Sequence, residues 1–179
     1  PTIPILAALL KSIDLRKDKA NCFKKLRMWY WSSVFSNAYS SAVDTQLTQD
    51  FKQMLAWFEN DEQIPDTVIT ARNRLQQIEL HNVRSKGSAI YKGVLSILAI
   101  EGARDFDTGQ TLENSRENDK DHIFPRAGEY GHGLQKYVDS VLNMTWMSDK
   151  TNRGIKKFKR PSVYIKEFIK VKHKRDSKE

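Results

Sequence analysis

Apolar residues recur at three- and four-residue intervals through roughly the first hundred positions of the chain and then lose that rhythm. Phe51, Met54, Leu55 and Phe58 form an i, i+3, i+4, i+7 stripe, which predicts a helix over 44–59 with one face turned to a core. Val68, Ala71, Leu75 and Ile78 repeat the spacing behind Pro65-Asp66, a suitable start signal for another helix. Phe23, Leu26 and Tyr30 sit at helical spacing within 17–35, and Trp29 and Trp31 broaden the apolar side. Ile90, Val94, Ile97 and Leu98 mark a further helix ending near Gly102, and 3–10 is a short apolar stretch. Such stripes predict core rather than cofactor contacts. Trp29, Tyr30, Trp31 and Phe35 are expected to pack against neighbouring helices rather than stack on a flipped base.

Beyond Gly102 the pattern changes. Positions 105–118 are polar and acidic and read as a connection. Two strands are predicted over 120–124 and 140–147, with Val141, Met144 and Trp146 supplying apolar contacts. A glycine-containing loop (126–133) and a helical turn (134–138) lie between them. Ser148 or Asp149 can cap the next helix, which would carry Asn152 in its first turn, facing back toward the strands. Pro161 starts a last helix running past Phe168, with Val163, Tyr164 and Phe168 apolar. The expected architecture is mainly α, with a helical domain over 1–105 and a second domain over 106–179 built on two strands and a basic C-terminal helix. There is no internal repeat or low-complexity tract.

Candidate chemistry is concentrated in the second domain. Asp121-His122 enters an apolar strand ahead of Pro125, and Asn143 is followed nine positions later by Asn152. Hydrolysing a phosphodiester requires a base near neutral pH, and His is the side chain whose unperturbed pKa lies nearest that range. His122 is the candidate base. Charge on the departing 3′ oxygen is offset by a hard cation held through carboxylate and amide oxygens, which Asp121 and Asn152 can supply. Neighbouring strand residues point to opposite faces, so a bend or bulge is implied beside Asp121-His122 if both serve one site. Asp119 replaces Asp121 as ligand if the register differs. His132, between two glycines, reads as a loop residue, and His81 and His173 have no partner pattern.

Asp121-His122-Ile123-Phe124-Pro125, Asn143, and the run from Ser148 to Gly154 resemble the HNH nucleases of the ββα-metal fold, in the residue order found in CRISPR effector nucleases. The resemblance implies a metal-dependent endonuclease with His122 as general base and Asp121 and Asn152 as ligands to one Mg²⁺ or Mn²⁺. It also implies that Asn143 braces the backbone across the motif. Trp29-Tyr30-Trp31, Tyr39-Ser40-Ser41 and the run from Arg84 to Tyr91 are similar to the C-terminal half of GmrSD-type restriction proteins. That likeness implies DNA as substrate, a role in phage defence and a separate N-terminal nucleotide-hydrolysing (NTPase) domain as partner, with this chain a fragment. The alternative is a catalytically silent DNA-binding or docking module. RNA is a weaker candidate substrate.

Charge sharpens this reading. Residues 150–179 hold twelve Lys/Arg against three Asp/Glu, whereas 1–149 hold eighteen against nineteen, so the net +8 comes from the tail. Cationic contacts to phosphates supply most sequence-independent affinity for nucleic acid. Arg126, Lys150, Arg153, Lys156 and Lys157 are the expected phosphate contacts, and Lys172 to Lys178 a solvated end. Cys22 is the lone cysteine, which excludes an intramolecular disulfide and a cysteine-ligated zinc brace within the chain. No apolar run approaches membrane-spanning length and 1–10 lacks a signal-peptide pattern, so a cytoplasmic protein without membrane contact is expected.

Overall fold

Leu9, Ile13, Trp29 and Met54 are wholly shielded from solvent, and four helices converge on them. The computed structural model describes residues 2–112, 118–127 and 133–176. It is mainly helical with one small antiparallel sheet, and it divides into two compact units, Pro1–Ile78 and Glu79–Glu179. In the first unit α1 spans Ile3–Asp14, α2 Lys19–Phe35, α3 Val43–Glu59 and α4 Asp66–Leu75. α1 runs beyond the short stretch read from sequence because Ile13 belongs to the same core as Leu9. Of the α2 stripe, Leu26 is buried but Phe23 is exposed, and Trp29 takes the central place. Leu75, expected on the buried face of α4, is also exposed, and α4 instead buries Thr67, Val68 and Ala71. Burying each large apolar side chain contributes about 1.5–3 kcal/mol, so these four helices gain mainly from a shared apolar centre.

One polar group lies in that centre. Asp50, fully buried, accepts hydrogen bonds from Trp29 Nε1 (3.0 Å), Thr67 Oγ1 (2.8 Å), Gln46 Nε2 (3.2 Å) and the Tyr39 hydroxyl. Burial and the adjoining Asp50 carboxylate push the Tyr39 phenol well up from its ordinary pKa, keeping it a donor. The carboxylate thereby ties α2, α3, α4 and the α2–α3 connection to one point.

In the second unit α5 spans Ala89–Ile100, β1 Asn118–His122, β2 Met144–Ser148 and α6 Pro161–Asp176. Ser88 caps α5, its Oγ accepting from Tyr91 N at 3.2 Å. Tyr91 and Leu95 are buried against Val141 and Met144, whereas Leu98 of the expected stripe is exposed. The buried face of α5 is thus rotated by one residue from the sequence reading. Trp146 Nε1 donates to Leu95 O at 2.8 Å, fastening α5 to β2. That packing puts α5 in the second unit, so the division falls after Ile78 rather than at the 105/106 boundary expected from the change in periodicity.

The strands pair antiparallel from Asn118↔Ser148 to His122↔Met144. β1 ends two residues earlier than expected because the chain bends at Ile123 and Phe124. β2 starts later than expected, since Val141–Asn143 is a 3₁₀ turn whose preceding Ser140 Oγ accepts from Leu142 N at 3.3 Å. After β2 comes a π-helical segment, Lys150–Lys156, in place of the expected α-helix. Among the described residues no helix is long and apolar enough to cross a membrane.

Replacing Asp50 with Ala leaves several buried donors without an acceptor and should lower stability by about 3 kcal/mol or more, with Asp50→Asn costing less. Urea unfolding followed by tryptophan fluorescence measures both. An Ala variant as stable as the wild type would show that the network contributes nothing net.

Candidate functional site

The site is assembled where β1 stops. Asn143 clamps the bend beyond it: its Oδ1 accepts from Phe124 N (2.8 Å), and its Nδ2 donates to Phe124 O (2.9 Å) and Val138 O (2.7 Å). Ile123 N donates to Asn143 O at 2.7 Å, and the Tyr164 hydroxyl of α6 donates to Ile123 O at 2.9 Å. Held this way, the chain leaves the sheet immediately after His122. Asp121 and His122 therefore line the same cleft although they are strand neighbours, and the strand pairing contains no bulge.

The opposite wall is set by Asp105, a buried carboxylate in a segment read from sequence only as a polar connection. It accepts from Thr151 Oγ1 (2.7 Å) and Ser148 N (2.8 Å), and also from the backbone of Asp107 (3.0 Å) and Thr108 (3.1 Å). Ser148 Oγ accepts from Thr151 N at 3.2 Å, so Ser148 rather than Asp149 caps the π-helical segment. Although burial pushes the Asp105 carboxyl up, the hydrogen bonds from Thr151, Ser148 and Thr108 outweigh it and hold the group below the ordinary carboxylate range. The segment so anchored presents Asn152, Arg153 and Lys156 to the cleft, which has a volume of about 680 Å³.

Within the cleft, charges are paired. Asp121 Oδ2 receives the ammonium of Lys156, a side chain only 1% exposed, while Asp121 Oδ1 lies 3.5 Å from His122 Nδ1. Burial pushes the Asp121 carboxyl up, but the hydrogen bonds from Lys156 and the His122 backbone, with the Lys156 charge, hold it below its usual range. His122 Nε2 lies 3.0 Å from Asp139 Oδ1, and Arg126 reaches Asp139 Oδ2 at 3.5 Å. The hydrogen bond from His122, then the nearby Arg126 charge, keep Asp139 ionised to lower pH than usual. The His122 ring is thus flanked by carboxylates, with Asp139 within hydrogen-bond distance of Nε2 and Asp121 farther off on the Nδ1 side.

The sequence-derived candidates fare differently from one another. Asp121, His122 and Asn152 line one cleft, and Asn143 lies behind the bend that makes this possible. Asn152 Nδ2 donates to Asp119 Oδ2 at 3.3 Å, so the amide contacts Asp119 rather than Asp121. Arg126 and Lys157 are exposed cations on the cleft; Arg153 also lines it, paired with Asp149 at 2.5 Å and Asp119 at 3.6 Å. Lys150 is exposed but does not line the cleft. Lys156, expected as a phosphate contact at the surface, is instead buried on Asp121. His132 and the side chains of Lys172 to Lys178 lie outside the described residues. Asp139 and Asp105 were missed by sequence reasoning: each is a lone carboxylate at no motif spacing, and only folding shows what it meets.

The donor chemistry fits a hard dication. The Asp121 carboxylate and the Asn152 amide oxygen are the donor types such an ion takes, and they border one cleft. Among the described residues no three His, Cys, Asp or Glu side chains converge as a metal-binding group. Coordination would therefore rest on Asp121, Asn152, water and substrate oxygens.

Comparison with known proteins adds context. The chain is 37% identical over 175 residues to the uncharacterized protein MJ0686 of Methanocaldococcus jannaschii, a match covering 96% of this chain and 29% of that protein. The chain thus spans less than a third of the length of the curated relative it matches. No family model matches, and no solved structure matches.

Two outcomes test the scaffold. Because the folded pKa of Asp105 is depressed, its contribution is complete above the unfolded value of about 3.9 and is lost as pH falls through the folded value. Asp105→Asn should cost about 2 kcal/mol at pH 7 and show a smaller further loss between pH 5 and pH 3 than the wild type, measured by urea unfolding at each pH. Asn143→Ala frees the bend and should cost about 2–4 kcal/mol, with faster hydrogen exchange at the Phe124 amide.

Proposed function

We propose that the second unit is a metal-dependent DNA endonuclease of the HNH (ββα-metal) type, acting by hydrolysis of a phosphodiester bond. The observation that carries this reading is that Asp121, His122 and Asn152, separated by up to thirty-one positions in sequence, border one cleft together with Arg126, Arg153 and Lys157. The strand, bend, strand and helical-segment order around the cleft is consistent with that motif.

His122 acts as the general base. With Asp139 accepting the Nε2 proton, Nδ1 is the nitrogen that takes the proton from the attacking water, and Asp139 then stabilises the imidazolium. Asp121 and the amide oxygen of Asn152 would hold a Mg²⁺ or Mn²⁺ ion, which when bound supplies neutralisation of charge on the departing 3′ oxygen. Asn143 keeps the bend beyond His122 fixed, so that the base does not swing with the loop. Arg126, Arg153 and Lys157 supply phosphate contacts on the cleft rim, which orient the strand without reading sequence. The products expected are 5′-phosphate and 3′-hydroxyl ends.

The wider role proposed is restriction or phage defence inside a longer protein, in which the helical first unit docks a nucleotide-hydrolysing domain. The likeness to GmrSD-type C-terminal halves supports it, as does a match that occupies only 29% of a longer relative. A second reading is a DNA-binding module with a silent nuclease fold. The occupation of Asp121 by Lys156 favours that alternative over an open catalytic site.

Plasmid nicking in Mg²⁺ or Mn²⁺ separates the two readings. The wild type should nick, and His122→Ala and Asn152→Ala should each slow nicking about 100-fold or more. Equal rates in all three would remove the site assignment. Binding without cutting under either metal would leave the silent module. Matched DNA and RNA duplexes compared in the same assay should show DNA cut faster.

A further inference from the structure

Lys156 is the one candidate cation whose position does not suit simple surface contact with phosphate. Its side chain is 1% exposed, yet it borders the cleft, and its ammonium is spent on Asp121 Oδ2. The other oxygen of the same carboxylate faces His122 Nδ1 at 3.5 Å. Oδ2 of Asp121 is thus committed to Lys156, while Oδ1 lies on the side of the His122 ring. Lysines are rarely buried unless paired, because an ammonium loses much hydration, so the contact with Asp121 is what makes the position tolerable.

The backbone holds Lys156 there. Lys157 N donates to Asn152 O at 2.8 Å and Lys159 N donates to Lys156 O at 3.0 Å, closing the end of the π-helical segment around it. Lys157 takes a left-handed φ of 47°, uncommon for a residue with a side chain, and this turns the chain back immediately after the buried lysine. The lysine stem has four rotatable carbons, so the ammonium can change partners while the backbone stays put.

From this geometry we propose that Lys156 is a resident cation that holds Asp121 in the absence of substrate, and that a phosphodiester entering the cleft draws its ammonium away and opens Asp121 to the metal. A dication approaching Asp121 with Lys156 in place meets a like charge a few ångströms off; once a DNA phosphate takes the ammonium, that charge is balanced by an anion. Metal and DNA then bind cooperatively, and by linkage each raises the affinity of the other by the same factor. This inference rests on the metal-dependent reading proposed above, and assigns Lys156 a positioning role within it.

The test is Mn²⁺ binding, read from the electron paramagnetic resonance signal of free Mn²⁺, with the full chain and without reference to turnover. His122→Ala serves as the background so that DNA is not consumed, and a duplex-only blank is subtracted. The His122→Ala protein should bind Mn²⁺ about 10-fold or more tightly with a 20-base-pair duplex than without it. Adding Lys156→Met, which keeps the buried stem and removes the charge, should raise duplex-free affinity about 10-fold and erase most of the duplex dependence. Mn²⁺ affinity indifferent to the duplex in the His122→Ala protein overturns the proposal without any Lys156 variant, should that variant fail to fold. Equal duplex-free affinity with Lys156 and with Met overturns it as well, while leaving metal-dependent cleavage standing. Absence of Mn²⁺ binding in every arm removes both this inference and the catalytic reading beneath it.

Discussion

The buried carboxylate of Asp105 is the constraint on which the second unit depends. It accepts from the backbone of its own loop, from Ser148 at the end of β2 and from Thr151 at the start of the π-helical segment. One side chain thus ties its own loop to the β2–π-helix junction, 43 to 46 positions away in sequence. Asp105 does not itself line the cleft, yet Asn152 and Lys156 face it because Thr151, between Ser148 and them, has its hydroxyl locked onto this group. Burial opposes its ionised form, and the donors overcome that cost, so the anchor is charged and directional at neutral pH.

Asn143 performs the complementary task on the other wall. Its amide takes both polar groups of the Phe124 backbone and a carbonyl at Val138, satisfying groups that the sheet would otherwise pair. The strand is stopped by substitution of partners rather than by a glycine or a bulge. Two adjacent residues, Asp121 and His122, then serve one cleft, and each receives its own counter-group: Lys156 for the first and Asp139 for the second. This pairing sets an opposite charge against Asp121 and a hydrogen-bond acceptor against His122 within a confined space.

The first unit applies the same logic in a different setting. Asp50 sits in an apolar centre and is surrounded by donors from three helices and a connection, so it specifies how those helices meet, while Trp29, Met54 and Val68 supply the driving force. Specification by a buried carboxylate is common to both units, and neither role could be assigned to Asp50 or Asp105 from spacing, since an isolated Asp among polar neighbours looks like surface.

By itself the sequence determined the helical periodicity, the change of character after Gly102, the positions of most elements and the residue types that cluster around Asp121-His122 and Asn152. Those are local properties: a 3.6-residue repeat, a cap and a proline act over a few positions. Tertiary structure alone decided that α5 belongs with the strands, that its buried face runs through Tyr91 and Leu95, and that Phe23 and Leu75 face solvent. It also decided that Lys156 leaves the basic surface for Asp121 and that Asp139 meets His122. Each of these depends on which distant groups share a point in space, where burial and charge pairing outweigh local preference, and no spacing along a single chain encodes that.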